Sequence, residues 1–301
     1  MSGHVWVDGR LLAADGPHLS VFDRGFQLGD GIFETVRVRA GHVTELADHL
    51  ARLRRSAEGL EIDLPPYIET RLMAGIAELL AADGLGGPEA DASVRITVTR
   101  GAFRGRGLLP TGEPVPATIA IQAWPVIATP LEHLERGLRL VVSAVRRDPR
   151  NPLATLKTTS RAEYVFARLE ARRAGADDAL FMTIDDHLSE ATTANIFIIR
   201  RAATEGVTEL ATPSLECAIL PGTTRSWLLE WAASVGLRRF EGRLTREDLA
   251  AADEAFVSSS VAGVLPVTSF EGAAIGDGLP GAWTRRARAD REAMIRGGAP
   301  A

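Results

Sequence analysis

Only one cysteine, Cys217, occurs in the chain, and it cannot form a disulfide within the molecule. A sequence with so little cysteine fits a reducing compartment. The six histidines and Cys217 show no spacing typical of a metal site, so we expect no bound metal. The first residues lack a basic start followed by an apolar run, and no secretory signal is visible. We therefore expect a cytoplasmic protein.

Long apolar runs and an excess of positive charge are missing as well. The longest uncharged stretch, residues 114–131, contains four prolines, which would break a membrane-spanning helix. The formal net charge of -5 gives no general electrostatic reason to bind nucleic acid, although Arg52, Arg54 and Arg55 form a local basic cluster. The sequence therefore predicts neither a membrane nor a nucleic acid among the partners of the protein.

The rest of the composition is close to that of an average globular protein. The 301 residues are 46% hydrophobic and 24% charged, far from the polar bias of a disordered chain. This length is sufficient for two ordinary domains, each with its own core. We expect the chain to be folded throughout.

Hydrophobic spacing divides the chain into an α+β first half and a second half of further strands and helices. Residues 1–122 form a small N-terminal domain with two predicted helices, one capped by Thr44 and one starting at Pro66. Residues 123–130 are a proline-bearing linker. Residues 131–301 form the larger C-terminal domain.

Three local predictions concern this second domain. Helical spacing follows the polar loop over Thr158–Ala174, and the strand patterns Ala179–Ile184 and Glu190–Ile199 predict a hairpin. The arginine-rich segment Trp283–Ile295 is typical of a solvated terminal helix.

Two charged residues, Lys157 and Glu190, are candidates for a catalytic role. Lys157 lies just after a strand and a polar loop and just before a helical pattern. Glu190 precedes the apolar run Ile196–Ile199, and an acid beside such a run needs a partner. Each also has an ordinary interpretation, because an isolated lysine is usually a solvated charge and an isolated glutamate usually lies at an edge or on the surface.

The segment Leu220–Arg225, with the sequence Leu-Pro-Gly-Thr-Thr-Arg, leads directly into a helical pattern. Backbone N–H groups at a helix start favour an anion, and the hydroxyls of Thr223 and Thr224 add donors. The alternative is that one of these threonines only caps the helix. The glycine-rich segments 29–31 and 101–107 do not fit a dinucleotide-binding or phosphate-loop spacing.

The order of these elements resembles the class IV aminotransferases. Glu190 follows Lys157 by about 33 residues, and the Leu220 segment follows about 30 further on. Phe22–Thr35 resembles the N-terminal motif of the family. Shorter matches occur at His49–Leu53, Thr99–Gly101, Asn195–Phe197, Thr212–Pro213 and Ser258–Ser260.

The resemblance implies a two-domain α+β fold of type IV, similar to D-amino-acid aminotransferases, and a homodimer. It implies that pyridoxal 5'-phosphate is the cofactor, that Lys157 carries it and that Glu190 pairs with its pyridine nitrogen. Leu220 would pack under the pyridine ring. The residues implied to bind the cofactor phosphate are Arg52, Thr223, Thr224 and Ser260.

Two assignments remain open at this stage. Ser258 and Ser259 are donors as able as Ser260. Family members often place a tyrosine or asparagine a few residues after the lysine, where it contacts the 3'-oxygen of the cofactor. Here Tyr164 comes seven residues after Lys157, so the partner of that oxygen stays undecided.

Three family activities compete for this sequence, and all are compatible with Lys157 and Glu190. Leu28 and the Phe33–Arg37 sequence depart from the branched-chain transaminase pattern. The N-terminal motif favours a D-amino-acid transaminase, which passes an amino group to a 2-keto acid by a ping-pong mechanism. The segment Gly105–Gly107 also resembles 4-amino-4-deoxychorismate lyases, which release pyruvate.

Substrate contacts follow less directly from the resemblance. Phe33 is implied to line the substrate pocket. The Arg-x-His that binds the substrate carboxylate in D-amino-acid enzymes is not reproduced, and Arg104 or Arg106 would replace it through a bidentate guanidinium. A solvated loop arginine is the alternative for each. A binding protein that kept the fold and lost catalysis would be expected to have lost Lys157 or Glu190.

Overall fold

The computed structural model describes residues 3–110, 114–202 and 206–297, and it contains both helices and sheets, as predicted. The chain forms two compact units. The first comprises Met1–Ile127 and Leu156–Arg161, and the second comprises Ala128–Thr155 and Ala162–Ala301.

The sequence placed Leu156–Arg161 in the second domain, whereas the structure groups it with the first unit. Backbone pairing explains the difference. The N–H of Phe33 donates to the carbonyl of Lys157 at 2.9 Å, and the N–H of Thr159 donates to the carbonyl of Gly31 at 2.8 Å. This short segment therefore adds to the edge of a strand of the first unit.

A six-stranded sheet forms the first unit, in the order β2-β1-β6-β5-β3-β4. Its strands are β1 His4–Val7, β2 Arg10–Ala13, β3 Gly31–Arg39, β4 His42–Val43, β5 Asp91–Thr99 and β6 Thr118–Pro125. Its helices are α1 Arg24–Leu28, α2 Leu46–Gly59 and α3 Ile68–Ala82. The sequence predicted Thr44 as the cap of the first helix and Pro66 as the start of the second. In the structure Glu45 and Tyr67 have positive φ and are not helical, so α2 and α3 begin only at the residues that follow them.

Apolar residues of α2, α3 and one face of the sheet form the core of the first unit. In β5 the side chains of Val94, Ile96 and Val98 are buried in this core. Because side chains alternate along a strand, Arg95 and Thr97 point to the opposite face. On that face Arg95 lies beside Phe33 of β3.

A nine-stranded sheet forms the second unit, in the order β12-β11-β10-β13-β14-β7-β8-β9, with β15 paired to β14. Its strands are β7 Leu138–Arg147, β8 Asp178–Thr183, β9 Leu188–Ala191, β10 Asn195–Arg201, β11 Thr208–Pro213, β12 Arg238–Gly242, β13 Glu254–Ser259, β14 Gly263–Phe270 and β15 Ala273–Ala274. Its α-helices are α4 Leu131–Glu135, α5 Ala162–Arg173, α6 Thr223–Ser234, α7 Arg246–Ala250 and α8 Ala282–Ile295. Since β9 also pairs with β10, six of these strands close into a ring.

The predicted strand Glu190–Ile199 is two strands in the structure. A tight turn separates β9 from β10, because the N–H of Ala191 donates to the carbonyl of Ala194 at 2.8 Å. The turn brings Glu190 directly opposite Asn195 in the β9–β10 pairing. Helix α5 likewise starts at Ala162 rather than at Thr158, since Thr158 pairs with Ile32.

Helix α8 is not the solvated helix that its arginine content predicts. Asp290 and Arg291 are buried together with the smaller Thr284 and Ala287. The indole N–H of Trp231 donates to Oδ2 of Asp290 at 2.7 Å. The polar residues on this face have partners inside the unit, which a hydrophobicity pattern does not reveal. In the part of the chain that the structure describes, we find no helix with the length and apolarity needed to cross a membrane.

Candidate active site

Lys157 is the only lysine in the chain, every other long basic side chain being arginine. Its backbone is fixed on both sides, because its N–H donates to Oγ of Ser56 at 3.0 Å and its carbonyl accepts from Phe33. The side chain is half-buried, and Nζ lies 4.8 Å from the centre of the Phe33 ring. A lysine held in this way has a defined backbone position and a partly desolvated amine.

Two arginines share the surroundings of this aromatic ring. Cζ of Arg95 lies 3.9 Å and Cζ of Arg161 lies 5.8 Å from the centre of the Phe33 ring. Burial lowers the pKa of the Arg95 guanidinium, and the positive charge of Arg161 lowers it further. Together with Lys157 they concentrate positive charge around one ring, and such a cluster attracts anions.

The sequence analysis gave Phe33 as a substrate contact and did not single out Arg95 or Arg161. The alternation of β5 was the available signal, since it sets Arg95 apart from the buried Val94 and Ile96. The cross-strand pairing of Phe33 with Thr97, which brings Arg95 diagonally beside the ring, depends on a strand register that the sequence did not show.

The predicted substrate contacts Arg104 and Arg106 lie on an exposed loop. Cζ of Arg104 is 5.5 Å from the centre of the Phe22 ring. The buried guanidinium of Arg24 holds the end of this loop by donating to the carbonyls of Gly107 and Leu108. The loop is therefore anchored, but its two arginines face solvent.

Arg52, the predicted phosphate contact of the first unit, forms a buried bidentate pair with Glu34. Its Nε and Nη2 donate to the two carboxylate oxygens, each at 2.7 Å, and Nδ1 of His49 lies 2.8 Å from Oε2. Burial alone would raise the pKa of Glu34, but the hydrogen bonds and charge of Arg52, assisted by His49 and the charge of Lys157, lower it to about 2. Glu34 is therefore ionised at neutral pH, and contact of Arg52 with phosphate stays a prediction.

Glu190 belongs to the second unit and is buried at the end of β9, with 5% of its surface exposed. The backbone N–H of Leu220 donates to its Oε2 at 2.8 Å. The Tyr164 hydroxyl and Nη2 of Arg147 lie 3.5 and 3.7 Å from Oε1. The predicted need for partners is thus met by one backbone donor and two side chains.

Arg147 was not predicted as part of this group. Burial lowers its pKa, but the nearby Tyr164, Glu190 and Glu163 raise it above the ordinary value, so the guanidinium stays charged. It also lies with Cζ 5.0 Å from the centre of the Tyr164 ring. Arg147 is the last residue of β7, a strand of mixed burial, and nothing in its local sequence singles it out.

The predicted phosphate contacts of the second unit meet at the start of α6. The hydroxyl oxygens of Thr223 and Ser260 lie 3.2 Å apart, and Thr223 and Thr224 are both buried. Gly222 is the N-cap residue of α6 and has no side chain to cap it. The Asn195 amide donates to the carbonyl of Leu220 at 3.0 Å, which fixes the approach to the helix.

These residues fit pyridoxal 5'-phosphate. Its aldehyde requires an amine and its pyridine nitrogen a carboxylate, and Lys157 and Glu190 carry these groups. Its phosphate requires several donors, and the hydroxyls and N–H groups at the start of α6 are of this kind. The hydroxyl of Ser258 is buried without a hydrogen-bond partner among the described residues, so one further donor is available. No group of side chains that could hold a metal ion occurs among the described residues.

Known proteins similar to this chain carry three different activities. D-alanine aminotransferase from Bacillus licheniformis is 30% identical over 93% of each chain. The crystal structure of a branched-chain aminotransferase from Thermoproteus uzoniensis with norvaline is 30% identical, with a TM-score of 0.84 over 99% of this chain and 96% of that one. The crystal structure of 4-amino-4-deoxychorismate lyase from Pseudomonas aeruginosa is 31% identical, with a TM-score of 0.78 over 97% of this chain and 98% of that one.

The family model described as amino-transferase class IV matches residues 31–270. This match spans both units, and with the structural similarity it confirms the predicted fold type IV and pyridoxal 5'-phosphate as the cofactor. The chain therefore belongs to the class IV aminotransferases, a family of pyridoxal-phosphate enzymes.

Proposed function

We propose that the protein is a transaminase that moves an amino group from an amino acid, with D-amino acids favoured, to a 2-keto acid by a ping-pong mechanism. The observation that carries the proposal is Glu190, a buried carboxylate with a fixed backbone donor and a charged arginine beside it. A carboxylate beside a pyridine nitrogen keeps that nitrogen protonated. When bound, pyridoxal phosphate then supplies an electron sink for proton loss at the substrate Cα.

Lys157 is the catalytic residue of this proposal. Its amine would hold the cofactor and, once released by the amine of the substrate, would act as the base that moves the proton at the substrate Cα. The backbone hydrogen bonds on both sides of Lys157 fix the point from which its side chain extends. A catalytic group that starts from a fixed position is more easily held in the orientation that proton transfer needs.

The start of α6 holds the cofactor phosphate in this proposal. Thr223, Thr224 and Ser260 contribute hydroxyls, and the backbone N–H groups of the first helical turn contribute further donors. Arg52 is the proposed cationic partner from the first unit. Leu220 packs under the pyridine ring, where an aliphatic side chain excludes water.

The substrate carboxylate is proposed to bind at the positive charge around Phe33. Arg95 and Arg161 lie beside the same ring as Lys157, whereas Arg104 and Arg106 are on an exposed loop. A guanidinium that is partly desolvated binds a carboxylate more strongly than an exposed one. We therefore prefer Arg95 and Arg161 to the loop arginines for this role.

The preference for D-amino acids rests on the N-terminal motif Phe22–Thr35 and on the similarity to D-alanine aminotransferase. The sequence identity to the branched-chain aminotransferase is also 30%, so the test includes L-leucine.

A second candidate function, 4-amino-4-deoxychorismate lyase, is favoured by the pair of arginines. The substrate of that reaction has two carboxylates, and Arg95 with Arg161 provides two guanidinium groups near one amine. The 31% identity to the solved lyase supports this alternative.

The test uses the purified protein with its cofactor and no added 2-keto acid. With D-alanine, a transaminase loses the near-visible absorbance of the cofactor and releases one pyruvate per site, and a second keto acid restores the absorbance. L-leucine as the sole effective donor would replace the D-amino-acid proposal with a branched-chain one. A lyase releases pyruvate from aminodeoxychorismate over many turnovers without loss of absorbance. Absence of reaction with every donor would refute the proposal.

A further inference from the structure

Arg291 is an arginine on α8 with 0% of its surface exposed. Placing a guanidinium inside a protein costs several kcal/mol in lost hydration, even when it finds partners. Arginines are rarely buried to this degree, and Arg286 on the same helix keeps 47% of its side chain exposed. The interior position of Arg291 therefore calls for an explanation.

Arg291 contacts residues in the first turns of α6. Its Nη2 donates to Oγ1 of Thr224 at 3.1 Å, and its Cζ lies 5.2 Å from the centre of the Trp227 ring. Residues three apart on a helix lie on the same side, so one guanidinium contacts two successive turns. The contacted end of α6 is its N-terminal end, where the partial positive charge of a helix lies.

The bond to Thr224 has a chemical consequence. A threonine hydroxyl has one proton to donate and can accept two hydrogen bonds. When Oγ1 accepts from Arg291, its proton remains available for an acceptor in front of the helix. The fixed positive charge of Arg291 adds to the partial positive charge at the helix start, and both favour a doubly charged phosphate.

We propose that Arg291 is a positioning residue for the cofactor phosphate, which acts through Thr224 and does not itself contact the cofactor. The inference rests on the proposed function, because it takes the start of α6 as the phosphate site. The competing interpretation is that Arg291 only joins α8 to α6, in which case its loss would affect every ligand of the site alike.

The experiment compares pyridoxal 5'-phosphate with pyridoxal, which lacks the phosphate. Both are titrated into cofactor-free protein and followed by quenching of tryptophan fluorescence, for wild type, R291M and R286M. R286M removes the same charge from an exposed position of α8. We expect R291M to weaken pyridoxal 5'-phosphate binding at least about ten-fold, the size of one charge-assisted contact, while pyridoxal binding is unchanged. R286M should keep the wild-type ratio of the two dissociation constants.

Thr224 provides the second part of the test. In the T224V background, R291M should change the ratio of the two dissociation constants by less than it does in the wild type, because the contact is already lost. If R291M does not fold, R291Q serves in its place. Equal weakening of both ligands by the Arg291 variant, or an unchanged ratio, overturns the inference. Wild-type protein that does not prefer pyridoxal 5'-phosphate to pyridoxal would refute the phosphate site itself and the inference with it.

Discussion

Leu220 donates its backbone N–H to Oε2 of Glu190 at 2.8 Å. The two residues are 30 positions apart, one on β9 and the other just before α6. This bond joins the carboxylate proposed for the pyridine nitrogen to the helix start proposed for the phosphate. Asn195 strengthens the connection, since it pairs with Glu190 across the strands and donates to the carbonyl of Leu220. We therefore expect a substitution of Glu190 to alter the start of α6, and a substitution at the start of α6 to alter the position of Glu190.

The first prediction concerns E190Q. A neutral amide cannot keep the pyridine nitrogen protonated, so kcat for transamination should fall by about 100-fold or more, as for loss of a buried charge pair. The measurement is kcat with D-alanine and 2-oxoglutarate at saturating cofactor, with folding verified by thermal unfolding. E230Q, on the exposed side of α6, is the matched control and should retain wild-type kcat. An E190Q enzyme as fast as the control would contradict the proposed role.

The second prediction uses the fact that Lys157 is the only lysine in the chain. Borohydride reduction fixes a cofactor that is bound through a lysine. The whole-protein mass of the reduced holoenzyme should then increase by one cofactor, with the added mass on the peptide that contains Lys157. K157R removes the only lysine and keeps the charge, and it should show no such adduct and lose transaminase activity. An adduct that persists in K157R, on the N-terminal amine, would mean that Lys157 is not the attachment site.

The sequence predicts well what local pattern encodes. The strand Ala179–Ile184, the helix after Gly222 and the mixed α+β class were readable from periodicity and helix-start signals, because these depend on neighbours a few residues apart. Strands β11, β12 and β14 were not predicted. The resemblance to the family was equally readable, since it rests on the order of short motifs, and the family match confirms it.

The sequence could not show what long-range pairing creates. Thr159 bonds to the carbonyl of Gly29 across 130 positions, and this contact explains why α5 starts late and why Lys157 belongs to the first unit. Arg95 beside Phe33 depends in the same way on the register between β5 and β3. Register and non-local pairing depend on the whole fold and leave no signal in a short window.

The third prediction concerns which arginine binds the substrate carboxylate, Arg95 beside Phe33 or Arg104 on the exposed loop. If Arg95 binds the substrate carboxylate, R95M should raise KM for the amino donor by about ten-fold or more, through loss of a charge-assisted contact, with a smaller effect on kcat. R104M, on the exposed loop, should change neither constant much. Steady-state kinetics on the two variants decide between the sites. A large rise of KM in R104M with a normal R95M would restore the loop arginine suggested by the sequence.

The fourth prediction concerns the backbone before α6. A Cβ added at Gly222 would lie 2.1 Å from Oδ1 of Asn195, so G222A must displace the amide that holds Leu220. Overpacking of this kind costs about 1–3 kcal/mol, and cofactor affinity should fall by roughly ten-fold. The measurement is an absorbance titration of cofactor-free protein. G87A is the control, because a Cβ at Gly87 meets nothing within 4 Å. Wild-type affinity in G222A would show that the Asn195 contact is not needed for cofactor binding.

The last prediction follows from the buried pair of Glu34 and Arg52. Arg52 and its neighbours hold the pKa of Glu34 at about 2, below its ordinary value of 4.5. A lowered pKa of a carboxyl group stabilises the fold above the pKa of the unfolded chain, and this contribution is lost as pH falls from about 4.5 towards 2. Its size is on the order of 3 kcal/mol at neutral pH.

E34Q tests this through the free energy of unfolding in urea, measured at pH 7 and at several values below pH 5. The variant should be less stable than wild type at pH 7, because Arg52 is left buried without its carboxylate. It should also lose less stability on acidification, so the two curves converge at low pH. E69Q, which removes the exposed partner of Arg54, should follow the wild-type curve, since exposed pairs contribute about 1 kcal/mol or less. Parallel curves for wild type and E34Q would mean that Glu34 does not titrate with folding.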